Sequence, residues 1–342
     1  MKLIILTQYY PPEIGAAQNR LSALARSLRD RGHEVTVLTA FPNYPVGRVK
    51  EEYHGHFYTL KVEDGIEVIR TWITPRPGNS WFARGLTYLS FAFSSLGNGC
   101  LRLRKADVLL WETPPLTLGP TAYLLSRLKG ARLVTNVSDL WPASLETMGI
   151  LNEGIVLTLL RQLEEFVYRR SSLISGQTEF ITRDIGARIP NTPTILWRNG
   201  VDAKTFVSAN GREWRDRWKV LQDRFVVGYA GLLGMTQGLD VIVRSAAILR
   251  DAPVTFVFVG DGPGRNLLIS LANELRLEDF IVAPPCSDEE MPDVWSSFDC
   301  AGHRYGYRET AGRSESEVGS WTQRENSGAD PLQSTNAEPA FY

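Results

Sequence analysis

Residues 2–40 read KLIILTQYYPPEIGAAQNRLSALARSLRDRGHEVTVLTA. An apolar run, a turn carrying Pro and Gly, an amphipathic stretch and a second apolar run follow one another. Leu21, Leu24, Ala25 and Leu28 recur at i, i+3, i+4 and i+7, which sets them on one face of a helix. Gly32 ends that helix, and HEVTVLTA supplies the next strand. Both strands are nearly continuous in apolar residues rather than alternating. That pattern calls for a parallel sheet covered on both faces. The first run is too short for a secretory signal, because Gln8 and two tyrosines follow it and no cleavage pattern appears.

The same alternation continues downstream. GIEVIRTW, ADVLLWE, ARLVTNVS and SLISGQT read as strands, with helices such as TAYLLSRLKG and IVLTLLRQLEEFVYRRS between them. After PTILWRNGVDAKTF the pattern starts again. RFVVGYAG, VTFVFVG and FIVAP are strands, while GLDVIVRSAAILRD, GRNLLISLANELRLED and SDEEMPDVWSSF are helices. Ser287 and Glu290 stand in the spacing of a capping box for the last of these. The expected fold is therefore α/β, two doubly wound Rossmann-type domains over residues 1–200 and 201–301. The second domain reads as incomplete, since DCA only opens a fourth strand and such sheets hold five or six. In doubly wound pairs, ligands bind at the carboxyl ends of the strands.

Residues 302–342 are of a different kind. Val318 and Leu332 are the aliphatic residues of this stretch, and Ser, Gly, Thr and charged residues fill most of the remainder. Such a segment cannot bury enough apolar surface to offset the entropy of ordering it. It is expected to be a disordered tail foreign to the fold, as truncation, frameshift or fusion near residue 301 would produce.

The whole chain has 342 residues, 43% of them hydrophobic and 22% charged, with a net charge of −1. That is the composition of a soluble globular protein, without the basic excess that nucleic-acid binding calls for. Cys100, Cys286 and Cys300 are far apart and in no metal-ligand spacing, which fits a reduced, cytoplasmic protein. His54 and His56, near Glu51 and Glu52, read as a solvated loop, and no metal is expected. The uncharged stretch GLTYLSFAFSSLGNGCL, residues 85–101, falls short of a membrane span. Two readings of residues 81–105 stay open. They are buried in the first domain, or they lie on a membrane surface with Trp81, Phe82 and Phe91 in the interface and Arg102, Arg104 and Lys105 on anionic lipid.

Three turns join a strand to a helix through small residues. Gly15, Ala16 and Ala17 open the first helix, where backbone N–H groups and the helix dipole can receive an anion; a tight turn without a ligand is the alternative. YAGLLGMTQGLD carries Gly231, Gly234 and Gly238 in the same setting. FVGDGPGRN carries Gly260, Asp261 and Gly262. It imitates a dinucleotide fingerprint, but Arg265 stands at the last glycine position, so a dehydrogenase is set aside. Asp139, in SDLWP, is either a cap before Trp141 and Pro142 or a carboxylate that meets a substrate.

Taken in order, QYYPPEIGAAQNRLSALARSLRDRGHEVTVLT, NGVDAKTF, YAGLLGMTQGLD and VFVGDGPGRN resemble the retaining GT-B glycosyltransferases of family 4. VSDLWPAS resembles the branch that builds bacterial O-antigen and capsule sugars, including N-acetylfucosamine-type transferases. The resemblance covers residues 1 to about 301. It implies a nucleotide-sugar donor, a UDP-sugar, and a lipid-linked saccharide acceptor, with no metal or other cofactor, in a cytoplasmic protein peripheral to the inner membrane. It assigns Gly15, Ala16 and Ala17 to the donor phosphate or sugar, and Gly231 to the diphosphate. Gly260, Asp261 and Gly262 fall near the nucleotide. Asn199, Gly200, Val201 and Asp202 fall at the crossing between domains.

Departures from the family pattern accompany this. Leu232 and Gln237 stand where many members carry an Arg and a Lys. The family's pair of glutamates spaced by seven residues has only Glu309, Glu317 and Glu325 to match it, in a Glu-rich tail without the apolar residues that would dock a helix. A chain lacking both the basic pair and the carboxylate pair is expected to turn over weakly or not at all. A non-catalytic binding remnant and a sugar-nucleotide epimerase are the rival readings.

Overall fold

A computed structural model describes residues 1–302, apart from 14, 45–46, 77–80, 148, 201–205, 207–208, 235–236 and 288, together with 321–323. The chain divides into two units, Met1–Gly200 and one that begins at Val201.

The first unit runs β1 (Lys2–Leu6), α1 (Ala16–Asp30), β2 (Glu34–Ala40), β3 (Tyr58–Glu63), β4 (Ile66–Thr71), α2 (Trp81–Arg102) and β5 (Val108–Thr113). It continues with α3 (Gly119–Lys129), β6 (Arg132–Val137), α4 (Ala143–Thr147), α5 (Ile155–Tyr168), β7 (Leu173–Gly176), α6 (Glu179–Arg188) and β8 (Thr194–Leu196). Its sheet has the order β3-β4-β2-β1-β5-β6-β7-β8. Every neighbouring pair is parallel except β3 with β4.

Alternation along the strands sorts the core into two layers, because successive side chains point to opposite faces. Ile4, Leu6, Leu38, Leu109 and Trp111 pack with Phe91 and Ala92 of α2, Ala122 and Leu125 of α3 and Val167 of α5. Ile5, Val35, Val37 and Leu110 pack with Leu21 and Ala25 of α1, with Leu24 and Leu28 at the margin. The periodicity in the opening stretch therefore marks the face that α1 buries. Phe91 is a correction to the membrane reading. It is fully buried, because its position on α2 points inward at the sheet. The side chains of Trp81 and Phe82 lie outside the described residues.

The second unit runs α7 (Gly211–Arg217), β9 (Phe225–Ala230), α8 (Leu239–Ile248), β10 (Val254–Val259), α9 (Arg265–Glu274), β11 (Phe280–Ala283), α10 (Met291–Ser296) and β12 (Cys300–Gly302). A final strand, β13 (Trp321–Gln323), follows, and the order is β11-β10-β9-β12-β13. The first four strands are mutually parallel, and β13 is antiparallel to β12. The Ser287 hydroxyl accepts from the Glu290 N–H at 3.4 Å in the turn ahead of α10, whose N-cap is Glu290 without a side-chain cap, so the expected capping box closes that turn rather than the helix. Thus three residues of the expected disordered tail stand in a strand. Residues 303–320 and 324–342 lie outside the described residues, and Glu309, Glu317 and Glu325 with them.

Candidate functional site

At the carboxyl end of the first sheet, residues far apart in sequence close on one buried acid. Glu112, near the end of β5, forms an ion pair with Arg20 of α1; the two side chains are 4% and 8% exposed. Its other oxygen accepts from Asn136 Nδ2 at 2.6 Å, and the Ser138 hydroxyl donates to the oxygen that faces Arg20. Ser175 in turn donates to Asn136 Oδ1 at 2.8 Å. Arg20 Nη1 donates to Asn199 Oδ1 at 2.7 Å, and Nη2 to Ser138 Oγ at 3.0 Å. Gln177, with its amide oxygen turned to the guanidinium, accepts from Arg20 Nη2 at 2.8 Å. A buried charge pair persists when its remaining donors and acceptors are satisfied, and here hydroxyls and amides do most of that.

This cluster brings three of the sequence-predicted segments together. Arg20 lies one turn beyond Gly15, Ala16 and Ala17, Ser138 precedes Asp139, and Asn199 bonds the guanidinium directly. Gly15 caps α1 in an extended conformation, and a Cβ there would press on the mobile end of Gln18, 2.6 Å from its Oε1. Asp139 is half-buried, and burial pushes its carboxyl above the ordinary value of 3.8. Gly200 ends the unit, with open space where a Cβ would be. Val201 and Asp202 lie outside the described residues. Sequence reasoning missed Glu112 and Arg20. A lone acid near the end of an otherwise apolar strand was the available signal.

Beside this network runs a chain of aromatic rings. Tyr9 and Tyr44 meet edge to face at 5.8 Å, and Tyr88 and Trp141 at 6.1 Å. Burial raises the Tyr9 hydroxyl well above its ordinary range, with Tyr88, Glu13 and Tyr44 adding to the shift. Glu13 is buried and accepts from the N–H groups of Asn43 and Tyr44, both at 2.7 Å. Gln8, just past β1, is 2% exposed, and among the described residues neither atom of its amide has a partner. Half-buried rings with carboxylates and a free amide can hold a polyhydroxylated ring, by stacking and by hydrogen bonds.

In the second unit the two glycine turns clasp each other. Leu233 donates to the Asp261 carbonyl at 2.9 Å and accepts from Gly264 at 2.8 Å. Gly231, Gly260 and Gly262 have φ of 152°, 147° and 155°. Their N–H groups are already given to Val259, Ala283 and the Asp261 side chain. The glycines thus serve the close passage of two backbones. Gly238, which caps α8, takes the left-handed conformation at φ 59°. Leu232 is exposed and uncharged, and Gln237 is engaged within the protein. Elsewhere His54 Nε2 and His56 Nδ1 each contact a backbone carbonyl. Among the described residues no group of three His, Cys, Asp or Glu is placed to hold a metal ion.

Residues 15–200 match the family described as Glycosyl transferase 4-like domain. The chain belongs to the glycosyl transferase 4-like family. It is 26% identical over 311 residues to an Escherichia coli protein named as the colanic acid biosynthesis glycosyl transferase WcaI, covering 88% of this chain and 75% of that one. Among solved structures it is similar to Anabaena HepE in complex with UDP, with a TM-score of 0.62 and 18% identity, over 92% of this chain and 76% of that one. Sucrose-phosphate synthase from Thermosynechococcus elongatus gives a TM-score of 0.64 at 14% identity, over 87% and 73% of the two chains. The fold of this transferase is GT-B.

Proposed function

We propose that this glycosyltransferase moves a sugar from a UDP-sugar to a lipid-linked saccharide, with retention of configuration, in surface polysaccharide biosynthesis. The observation that carries the reading is the single buried network under the Gly15 turn, the Asp139 loop and Asn199. It holds the turn expected on the donor side and a carboxylate loop together at the carboxyl end of one sheet. Support for the donor comes from the HepE complex with UDP, and for the setting from the colanic acid role in the name of WcaI. The protein's part is electrostatic: helix N-termini and fixed N–H dipoles stabilise the departing diphosphate. The rings from Tyr44 to Trp141, with Gln8 and Asp139, would face the acceptor sugar. Leu232 and Gln237 bring no charge to the diphosphate, so turnover is expected to be slow. The protein works without a resident metal, and its acceptor places it at the cytoplasmic side of the inner membrane.

Calorimetric titration with UDP, and with GDP as the contrast, tests this reading. Saturable binding of UDP at micromolar strength, with GDP weaker, is the expected result. Binding of neither would overturn the donor assignment. Detectable sugar transfer would exclude the remnant reading.

Asp139 gives a second test that needs no turnover. Its raised carboxyl holds a proton more tightly in the folded state than in the unfolded state. The stability this contributes is complete below the ordinary value of 3.8 and falls as pH climbs through the raised one. Asp139→Asn is expected to flatten that decline in urea midpoints measured from acid to neutral pH. An unchanged slope would remove Asp139 from its buried, protonatable setting.

A further inference from the structure

We propose that the outer surface of α2, α3 and α5 seats the first unit on an anionic bilayer. The inner faces of these three helices share one core beneath the sheet: Phe91 and Ala92, Ala122 and Leu125, and Val167. Their outer faces are therefore turned away from the sheet. On an ordinary surface helix those positions are polar.

Here each of the three also exposes large apolar residues. Along α2, Leu89, Phe93 and Leu101 recur at steps of four and eight residues, and Phe93 and Leu101 are 71% and 82% exposed. The stripe runs about 18 Å at 1.5 Å per residue. On α3, Leu124 and Leu128 are exposed one turn apart. On α5, Val156 and Leu159 are exposed beside Ile155, which is 80% exposed. One exposed leucine is ordinary, but rows of them on neighbouring helices mark an interaction surface.

Charge decides between a bilayer and a second copy of the chain. Arg127 is exposed between Leu124 and Leu128, and Lys105 is exposed just beyond the end of α2. The nearby acids Glu146 and Glu165 are taken up by Arg161 and Arg169, which leaves Glu153 exposed ahead of α5 and Asp107, bonded to the Lys2 N–H, exposed after Lys105. Arg102 is withdrawn from the face, stacked 3.2 Å over the Tyr58 ring. A two-fold contact of this face with itself would oppose like charges. Anionic headgroups would neutralise them while the leucines and Phe93 enter the acyl boundary. No helix among the described residues is long and apolar enough to cross a membrane, so the contact lies along the surface. A lipid-linked acceptor gives it a purpose, and to that extent the proposal rests on the reading above.

Flotation of the full chain with vesicles is the test, in phosphatidylcholine alone and with phosphatidylglycerol added. The chain is expected to float with the anionic vesicles at low salt and to stay down with the neutral ones. The double variant Phe93→Ser, Leu101→Ser is expected to reduce the bound fraction about tenfold, and Arg127→Glu to reduce it as well. Leu221→Ser, an exposed leucine of the second unit, is the control and should float as the parent does. Equal flotation of the double variant, or none by the parent, would overturn the proposal. So would a dimer in solution that the double variant splits. UDP plays no part in flotation, so a chain that binds UDP without floating overturns this inference alone. One that floats without binding UDP leaves it standing and overturns the donor assignment.

Discussion

Replacing Gly260 with alanine is expected to unfold the second unit at temperatures where the first remains intact. A Cβ at this position would fall inside the carbonyl oxygen of Gly231, a backbone atom that cannot turn aside. The φ of 147° is also one that L side chains rarely adopt. Overlap and backbone strain together are expected to cost about 3 kcal/mol, enough to remove most of a small unit's stability. Scanning calorimetry should show one transition moved down by many degrees and the other in place. Gly97→Ala is the matched comparison. Gly97 lies within α2 with nothing inside 4 Å of the new methyl, so alanine there should stabilise by roughly 0.5–1 kcal/mol. If both variants melt alike, the clasp between the two glycine turns does not hold the unit together.

Loss of Glu112 is expected to be the costliest single change in the first unit. Glu112→Ala removes the acceptor of Arg20, Asn136 and Ser138 at once. It leaves a guanidinium that is 8% exposed with no carboxylate beside it. Stripping one partner from a buried ion pair costs about 3–5 kcal/mol, more than the intact pair contributes over an apolar substitute. Glu112→Gln keeps the shape and one acceptor oxygen, and should fall between that and the parent. Urea midpoints of the three proteins, measured on the same day and buffer, check the ranking. An alanine variant as stable as the parent would mean that Arg20 finds water when its partner leaves.

How much of this was legible in the sequence differs between fold and site. The parallel order of β1 and β2 and the buried face of α1 followed from two periodicities, both properties of local sequence. The strand β3 was not seen, although its turn was written plainly. Asp64 and Gly65 both have positive φ, 49° and 73°, the turn that Asp-Gly favours between hairpin strands. The strand escaped notice because it lies on the edge and its side chains are mostly exposed, so no apolar run betrays it. Phe91 stayed open between the core and a membrane surface for a related reason. A helix apolar on both faces gives no sign of which face meets the sheet, and only the core beneath α2 decides it.

The site was less legible than the fold. Glycine turns announce themselves by composition, but composition does not say whether their N–H groups are spare or spent. Those of Gly231, Gly260 and Gly262 are spent on the protein itself. The Glu112 cluster draws on α1, β5, β6, β7 and the segment after β8, and no window of sequence contains it. Only the sheet order brings these pieces side by side.

The bond from Arg20 to Asn199 spans 179 positions, nearly the length of the first unit. During synthesis, then, the opening helix must wait for the last strand before its guanidinium has every partner. A nascent chain stopped before Thr194 would carry Glu112 and Arg20 together but lack the amide that completes them. In a ladder of released lengths, protease resistance should rise abruptly on passing Asn199 rather than grow with each strand. The first unit would thus be timed by its own end, and premature release would leave a product that quality control can recognise.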